Sequence, residues 1–106
     1  MIEGQHFYLK ATNTVLDVIN NIEDSEYQIC FIVDDSASLI GSITDGDIRR
    51  GLIEGHSIDS NASEIMNSNP VSILSTQSER EAQIIMTANQ IKQLPVVNKS
   101  NQLIGL

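Results

Sequence analysis

The chain has 106 residues, with 14 acidic and 6 basic side chains, a net charge of −8 and a hydrophobic fraction of 41%. That length suits one compact domain with a modest core. The acidic balance excludes general binding to nucleic acid or to anionic membranes, which needs a basic surface, and no apolar run approaches the ~20 residues of a membrane span.

Met1 leads into Ile2-Glu3-Gly4 rather than into a basic segment followed by an apolar one, so no secretory signal is expected. The single cysteine, Cys30, sits inside the apolar run ICFIV. It has no partner for an internal disulfide, nothing basic flanks it to favour a thiolate, and it reads as core filler; a reducing cytoplasm fits.

The elements follow in chain order. Phe7-Tyr8-Leu9 alternates apolar and polar and reads as a short edge strand. Val15, Val18, Ile19 and Ile22 recur at the spacing of one helical face, with Thr14 just before them as a candidate N-cap. Ile29 to Val33 is a continuous apolar, β-branched run, as expected of a strand buried on both faces. DDSAS is a turn, Leu39 to Ile43 the next strand, and Asp45 to Ile53 a short helix. EGHSIDSNAS is polar and reads as a flexible linker. Beyond it come a strand over Val71 to Ile73, a helical face at Ala82, Ile85 and Met86, and strands at Leu94 to Val97 and Leu103 to Leu106. Pro95 lacks an N–H, which places it at a sheet edge or a strand start.

The chain is written twice. Shifted by 64 positions, FIVDDSASLIG (31–41) falls without a gap on PVVNKSNQLIG (95–105). Val33, Ser36, Leu39, Ile40 and Gly41 then match Val97, Ser100, Leu103, Ile104 and Gly105, while Phe7, Leu9 and Ile22 fall on Val71, Ile73 and Met86. Three segments result: a first repeat over 1–55, a linker with a short helix over 56–69, and a second repeat over 70–106. The expected architecture is α/β (α+β), two pseudo-symmetric β-α-β-β-α repeats with the second truncated. Leu106 falls on Ser42, so images of Ile43 through Ile53 are missing, as expected of a piece of a longer chain.

A strand ending in Gly41-Ser42-Ile43-Thr44-Asp45-Gly46-Asp47, set in a duplicated β-α-β-β-α unit, resembles a tandem pair of CBS domains, also called a Bateman module. The resemblance covers nearly the whole chain. TDGDIRRGL followed by EIMNSNPVSI, with the start at Met1, looks like the N-terminal regulatory module of certain sugar-phosphate nucleotidyltransferases. Similar TDGD loops occur in the CBS tails of sugar-phosphate isomerases that act on arabinose 5-phosphate.

The resemblance implies a regulatory module without catalytic residues, which binds an adenine nucleotide (AMP, ADP or ATP) between the repeats and needs no other cofactor. It also implies a homodimer and a catalytic domain elsewhere in the parent chain. By the same resemblance, Asp47 would accept the two ribose hydroxyls, and Thr44 with the helix-opening amides near Asp45 would face phosphate. Gly41 and Gly46 would allow close approach, Arg50 or Arg49 would reach phosphate oxygens, and the base would lie against Phe7 or Ile43.

A second reading stands beside this one. T-x-x-D is also a capping box, with Thr44 as N-cap and Asp47 reaching back, and the arginines can pair with nearby acids on a solvated face. A purely structural dimerisation module is therefore the rival. Asp45-Gly46-Asp47 lacks the further oxygens of a calcium loop. His6 and His56 lie far apart with no Cys or His partner in the local sequence, so no zinc site is expected.

Overall fold

The computed structural model describes residues 8–25 and 27–106; the expectations placed on His6 and Phe7 lie outside the described residues. The first repeat runs β1 (Tyr8–Lys10), α1 (Val15–Ser25), β2 (Ile29–Val33), β3 (Leu39–Thr44) and α2 (Asp45–Ile53). A 3-10 turn at Ala62–Glu64 leads to the second repeat: β4 (Ile73–Leu74), α3 (Glu79–Asn89), β5 (Val96–Val97) and β6 (Leu103–Gly105). Each repeat forms a three-stranded sheet, β1-β2-β3 and β4-β5-β6, with its middle strand parallel to the first and antiparallel to the last.

The duplication extends to individual hydrogen bonds. Leu9 pairs with Ile32 as Ile73 pairs with Val96, and Val33 faces Leu39 as Val97 faces Leu103. A bulge falls between Ile32 and Val33, and again between Val96 and Val97. Asp34 Oδ1 accepts from the amides of Ser36 and Ser38, and Asn98 Oδ1 accepts from those of Ser100 and Gln102. The helices are capped alike: Thr14 Oγ1 accepts from the Asp17 amide and Ser78 Oγ from the Glu81 amide, both at 3.1 Å. One backbone hydrogen bond, from the Thr14 amide, holds Asp17 below the usual carboxylate range, with side-chain bonds to Asn13 and then Thr14 adding to it.

Two cores follow from the period-two alternation of β2. Cys30 and Ile32 point to the helices and pack with Val15, Val18, Ile22, Ile43 and Ile48. Burial pushes the Cys30 thiol up to about 12, so it stays protonated at neutral pH. Phe31 points the other way and packs with Leu39 and Val97, with Tyr8, Tyr27, Ile29 and Leu103 around them. This second core joins the repeats sheet to sheet.

The hairpin turns clasp each other across that junction. The Leu39 amide donates to Asn101 O and the Leu103 amide to Ala37 O, each at 2.9 Å. These two bonds are images of one another under the 64-residue shift. Ala37 and Asn101, also images, take left-handed backbone with φ of 66° and 64°. Asn tolerates that region; Ala there costs ~1 kcal/mol, which the cross-repeat bonds offset.

Three expectations shift. Val71 precedes its sheet, because pairing with β5 starts only at Ile73. β5 starts at Val96 and not at Leu94, so Pro95 sits just before it, at the strand start, one of its two expected places, and its carbonyl still accepts from the Ile73 amide at 3.0 Å. The segment read as a flexible linker is tied down: Ser60 O and Ile58 O accept from the amides of Val15 and Leu16, which a helix N-terminus leaves without partners. Its Ala62 is fully buried, with an amide bonded to Asn13 O at 2.7 Å.

The later part of the linker wedges under α2. A Cβ added at Gly51 would meet Ile65 Cγ2 at 2.5 Å, against a stiff β-branched side chain. Gly51→Ala gains about 1 kcal/mol of helix propensity and loses about 2 kcal/mol to overpacking. The expected net result is a loss of about 1 kcal/mol, seen as a lower urea midpoint with an unchanged slope.

Candidate functional site

The TDGD stretch lies where β3 hands over to α2. Thr44 is the last strand residue, and its backbone is extended at φ −107° and ψ 172°. It therefore stands as N-cap, and the capping box forms in full. The Thr44 amide donates to Asp47 Oδ2 at 2.9 Å, the Thr44 hydroxyl donates to the same oxygen at 3.1 Å, and the Asp47 amide donates back to Thr44 Oγ1 at 3.3 Å. Arg50 Nη2 donates to the other oxygen, Asp47 Oδ1, at 2.6 Å. The cap reading of T-x-x-D is thus realised. The amides of Asp45 and Gly46 open the helix, where the backbone has no partner of its own and the helix dipole favours an anion.

The box faces a cleft between the repeats. Two adjoining depressions of about 240 and about 200 Å³ share Ile29, Thr44, Ile91 and Gln93 in their walls. One wall comes from β2, β3 and the first turn of α2, with Phe31, Ser42 and Asp47; the other comes from Asn67, Pro70, Val71 and Pro95. Tyr27, Gln90 and Lys92 border the outer part. The wall chemistry is mixed: apolar strand and proline surfaces sit beside a carboxylate, a hydroxyl and amides. Asn67 is fixed there by a reciprocal pair of backbone bonds with Ser42, at 3.0 and 2.8 Å.

The expected site residues divide. Thr44 and Asp47 line the cleft. Asp45 is exposed on the first turn of α2, and Arg50 reaches the site through Asp47. Gly41 and Ile43 lie on the opposite face of β3, because residues of a strand alternate. Ile43 is fully buried in the helix-side core, so it is no platform for a base. The space over Gly41 is filled by the Met66 side chain, so this glycine serves packing rather than ligand approach. Phe31, Ile29, Val71, Pro70 and Gln93 were missed. Only the fold brings them together, although NPV in the second repeat and the alternation of ICFIV carried a partial signal.

A larger cavity of about 360 Å³ lies elsewhere, on the helix side of the second sheet, among Ile73, Ala82, Met86, Leu94, Val96 and Leu106. These are images of first-repeat core positions: Ala82 of Val18, Met86 of Ile22, Leu94 of Cys30 and Val96 of Ile32. It is the packing groove that Ile43 and Ile48 fill in the first repeat. It borders the cleft through Lys92 and Gln93, but neither Thr44 nor Asp47 lines it.

A model of the CBS domain family matches residues 5–54 and 62–106. The probable arabinose 5-phosphate isomerase of Haemophilus influenzae is 30% identical over 97 residues, which cover 90% of this chain and 28% of that protein. The chain therefore spans well under a third of that relative. Among solved structures, a CBS domain protein of Pyrobaculum aerophilum complexed with AMP matches with a TM-score of 0.80 at 24% identity, over 93% of this chain and 76% of that one. CBSX2 in complex with AMP matches with a TM-score of 0.83 at 20% identity, over 99% and 83%. At these identities the structural likeness carries the fold.

The capping box stabilises the fold with no ligand present. Asp47→Ala removes the acceptor for Thr44 and the partner of Arg50, and should cost about 1 kcal/mol. Urea unfolding without any nucleotide checks this, and the variant should remain folded.

Proposed function

The chain belongs to the CBS domain family, and we propose that it is a regulatory module that binds an adenine nucleotide in the cleft between its repeats. The observation that carries the reading is the meeting of Thr44 and Asp47 with Val71, Pro70 and Gln93 across one cleft. An adenine fits between the apolar surfaces of Ile29, Ile91 and Pro95. The ribose diol faces the Asp47 carboxylate, an acceptor-only group suited to two hydroxyl donors. The phosphate lies toward the N-terminus of α2, with Arg50 and Lys92 as the nearby cations. The AMP complexes of two proteins of the same fold support this choice of ligand.

The module acts by differential affinity: a nucleotide shifts the parent protein only as far as it binds one state better than another. The parent is proposed to be a sugar-phosphate isomerase. The Haemophilus relative points there, whereas the narrower resemblance to nucleotidyltransferase modules finds no support among these relatives. Pairing of two copies through their CBS modules is part of the same proposal.

One observation favours the rival, a ligand-free dimerisation module: the capping box and Arg50 already satisfy Thr44 and Asp47. Calorimetric titration with AMP, ADP, ATP, GTP and CTP separates the two. The expected result is saturable binding of an adenine nucleotide, weakened about tenfold or more in Asp47→Ala by loss of hydrogen bonds to a charged group. No heat from any nucleotide, with the protein folded, would leave the module as a dimerisation unit.

A further inference from the structure

The Asp47 carboxylate is nearly saturated before any ligand arrives. An ionised carboxylate offers about four acceptor sites, two on each oxygen. Oδ2 takes two donors from Thr44, its amide and its hydroxyl. Oδ1 takes one from Arg50 Nη2 at 2.6 Å. One site remains, and a ribose diol brings two hydroxyls. The cap bonds on Oδ2 are locked into the start of α2, so the donor that has to leave is Arg50.

Arg50 is built to leave. Its side chain is 63% exposed while that of Asp47 is 17% exposed, so a fixed acceptor is paired with a mobile donor. The guanidinium lies back along the first turn of α2 over Gly46. A Cβ there would stand only 3.2 Å from Arg50 Nη1. Gly46 thus makes room for the folded-back arginine, a different role from admitting a ligand. Thr44, Gly46, Asp47 and Arg50 form one closed unit across the first two turns of α2.

We propose that Arg50 is a latch on the sugar-binding carboxylate, and that it makes the cleft select phosphorylated nucleosides over bare nucleosides. This rests on the nucleotide reading given above. A bare nucleoside must break the Arg50–Asp47 pair and offers the freed guanidinium nothing. A nucleotide breaks the same pair but supplies phosphate oxygens at the N-terminus of α2, toward which the Arg50 side chain folds back. The first ligand meets only the cost; the second exchanges one charge-assisted bond for another.

The magnitudes are measurable. An exposed ion pair opposes adenosine by a factor of up to about five, and a hydrogen bond from Arg50 to phosphate favours AMP by about tenfold. The test is calorimetric affinity of the whole chain for adenosine and for AMP, in wild type, Arg50→Ala and Arg80→Ala. Arg80 lies exposed on the first turn of α3, outside the cleft, and controls for net charge. In Arg50→Ala, adenosine should tighten up to about fivefold, while AMP, freed of the same cost but without its phosphate bond, should weaken only about twofold, so the preference for AMP falls about tenfold. Arg80→Ala should keep it. A wild type that binds AMP, with an undiminished preference in Arg50→Ala, overturns the latch and leaves the nucleotide reading standing. A wild type that binds neither ligand removes both.

Discussion

The face-to-face packing of the two sheets is the constraint on which the rest depends. Phe31, Leu39 and Val97 are buried between them, each almost without exposure. The reciprocal bonds between Leu39 and Asn101 and between Leu103 and Ala37 fix the angle and register of the contact. Burial of a Phe or Leu is worth roughly 2 kcal/mol each, and two shared turns add directionality that apolar contact lacks. With the sheets held this way, the ends of β2 and β3 must face the chain entering and leaving β4 and β5. The cleft is the gap left where the sheets diverge, so its walls come from both repeats.

In the proposed reading, function and stability share the same atoms at that gap. The Thr44–Asp47 box closes the N-terminus of α2 and also sets an acceptor at the cleft wall, so no separate element is needed to hold it. Removing Asp47 disturbs a helix end and, in the proposed reading, a ligand contact, and only measurements with and without nucleotide separate the two. The same economy holds at α1. There the linker supplies carbonyls to Val15 and Leu16, Thr14 caps Asp17, and the segment between repeats becomes part of the first repeat's helix start.

Much of this was legible in the sequence, for identifiable reasons. The range of α2 and the cap at Thr14 could be read because N-cap chemistry is local. β2 could be read because a strand between two cores is apolar throughout. The duplication was legible because the Asx turns at Asp34 and Asn98 repeat with their flanking residues. What depended on the third dimension was not. β4 begins at Ile73 and not at Val71 because its partner begins after Pro95. Ile43 resembled a cleft residue from its place in the motif, but strand alternation turns it to the helix core. α3 has an apolar face in sequence and no fully buried residue in the fold, since the 106 residues hold no images of Ile43 and Ile48 to cover it.

The central claim is that the gap between the repeats is the nucleotide site. Amide NMR of the 15N-labelled chain titrated with AMP tests it most directly, because every wall of the cleft reports separately. The account predicts saturable shifts concentrated at Thr44, Asp47, Asn67, Val71 and Ile91, drawn from both repeats. Shifts gathered instead at Ala82, Met86 and Leu94 around the larger cavity, or no shifts at saturating AMP, would contradict it.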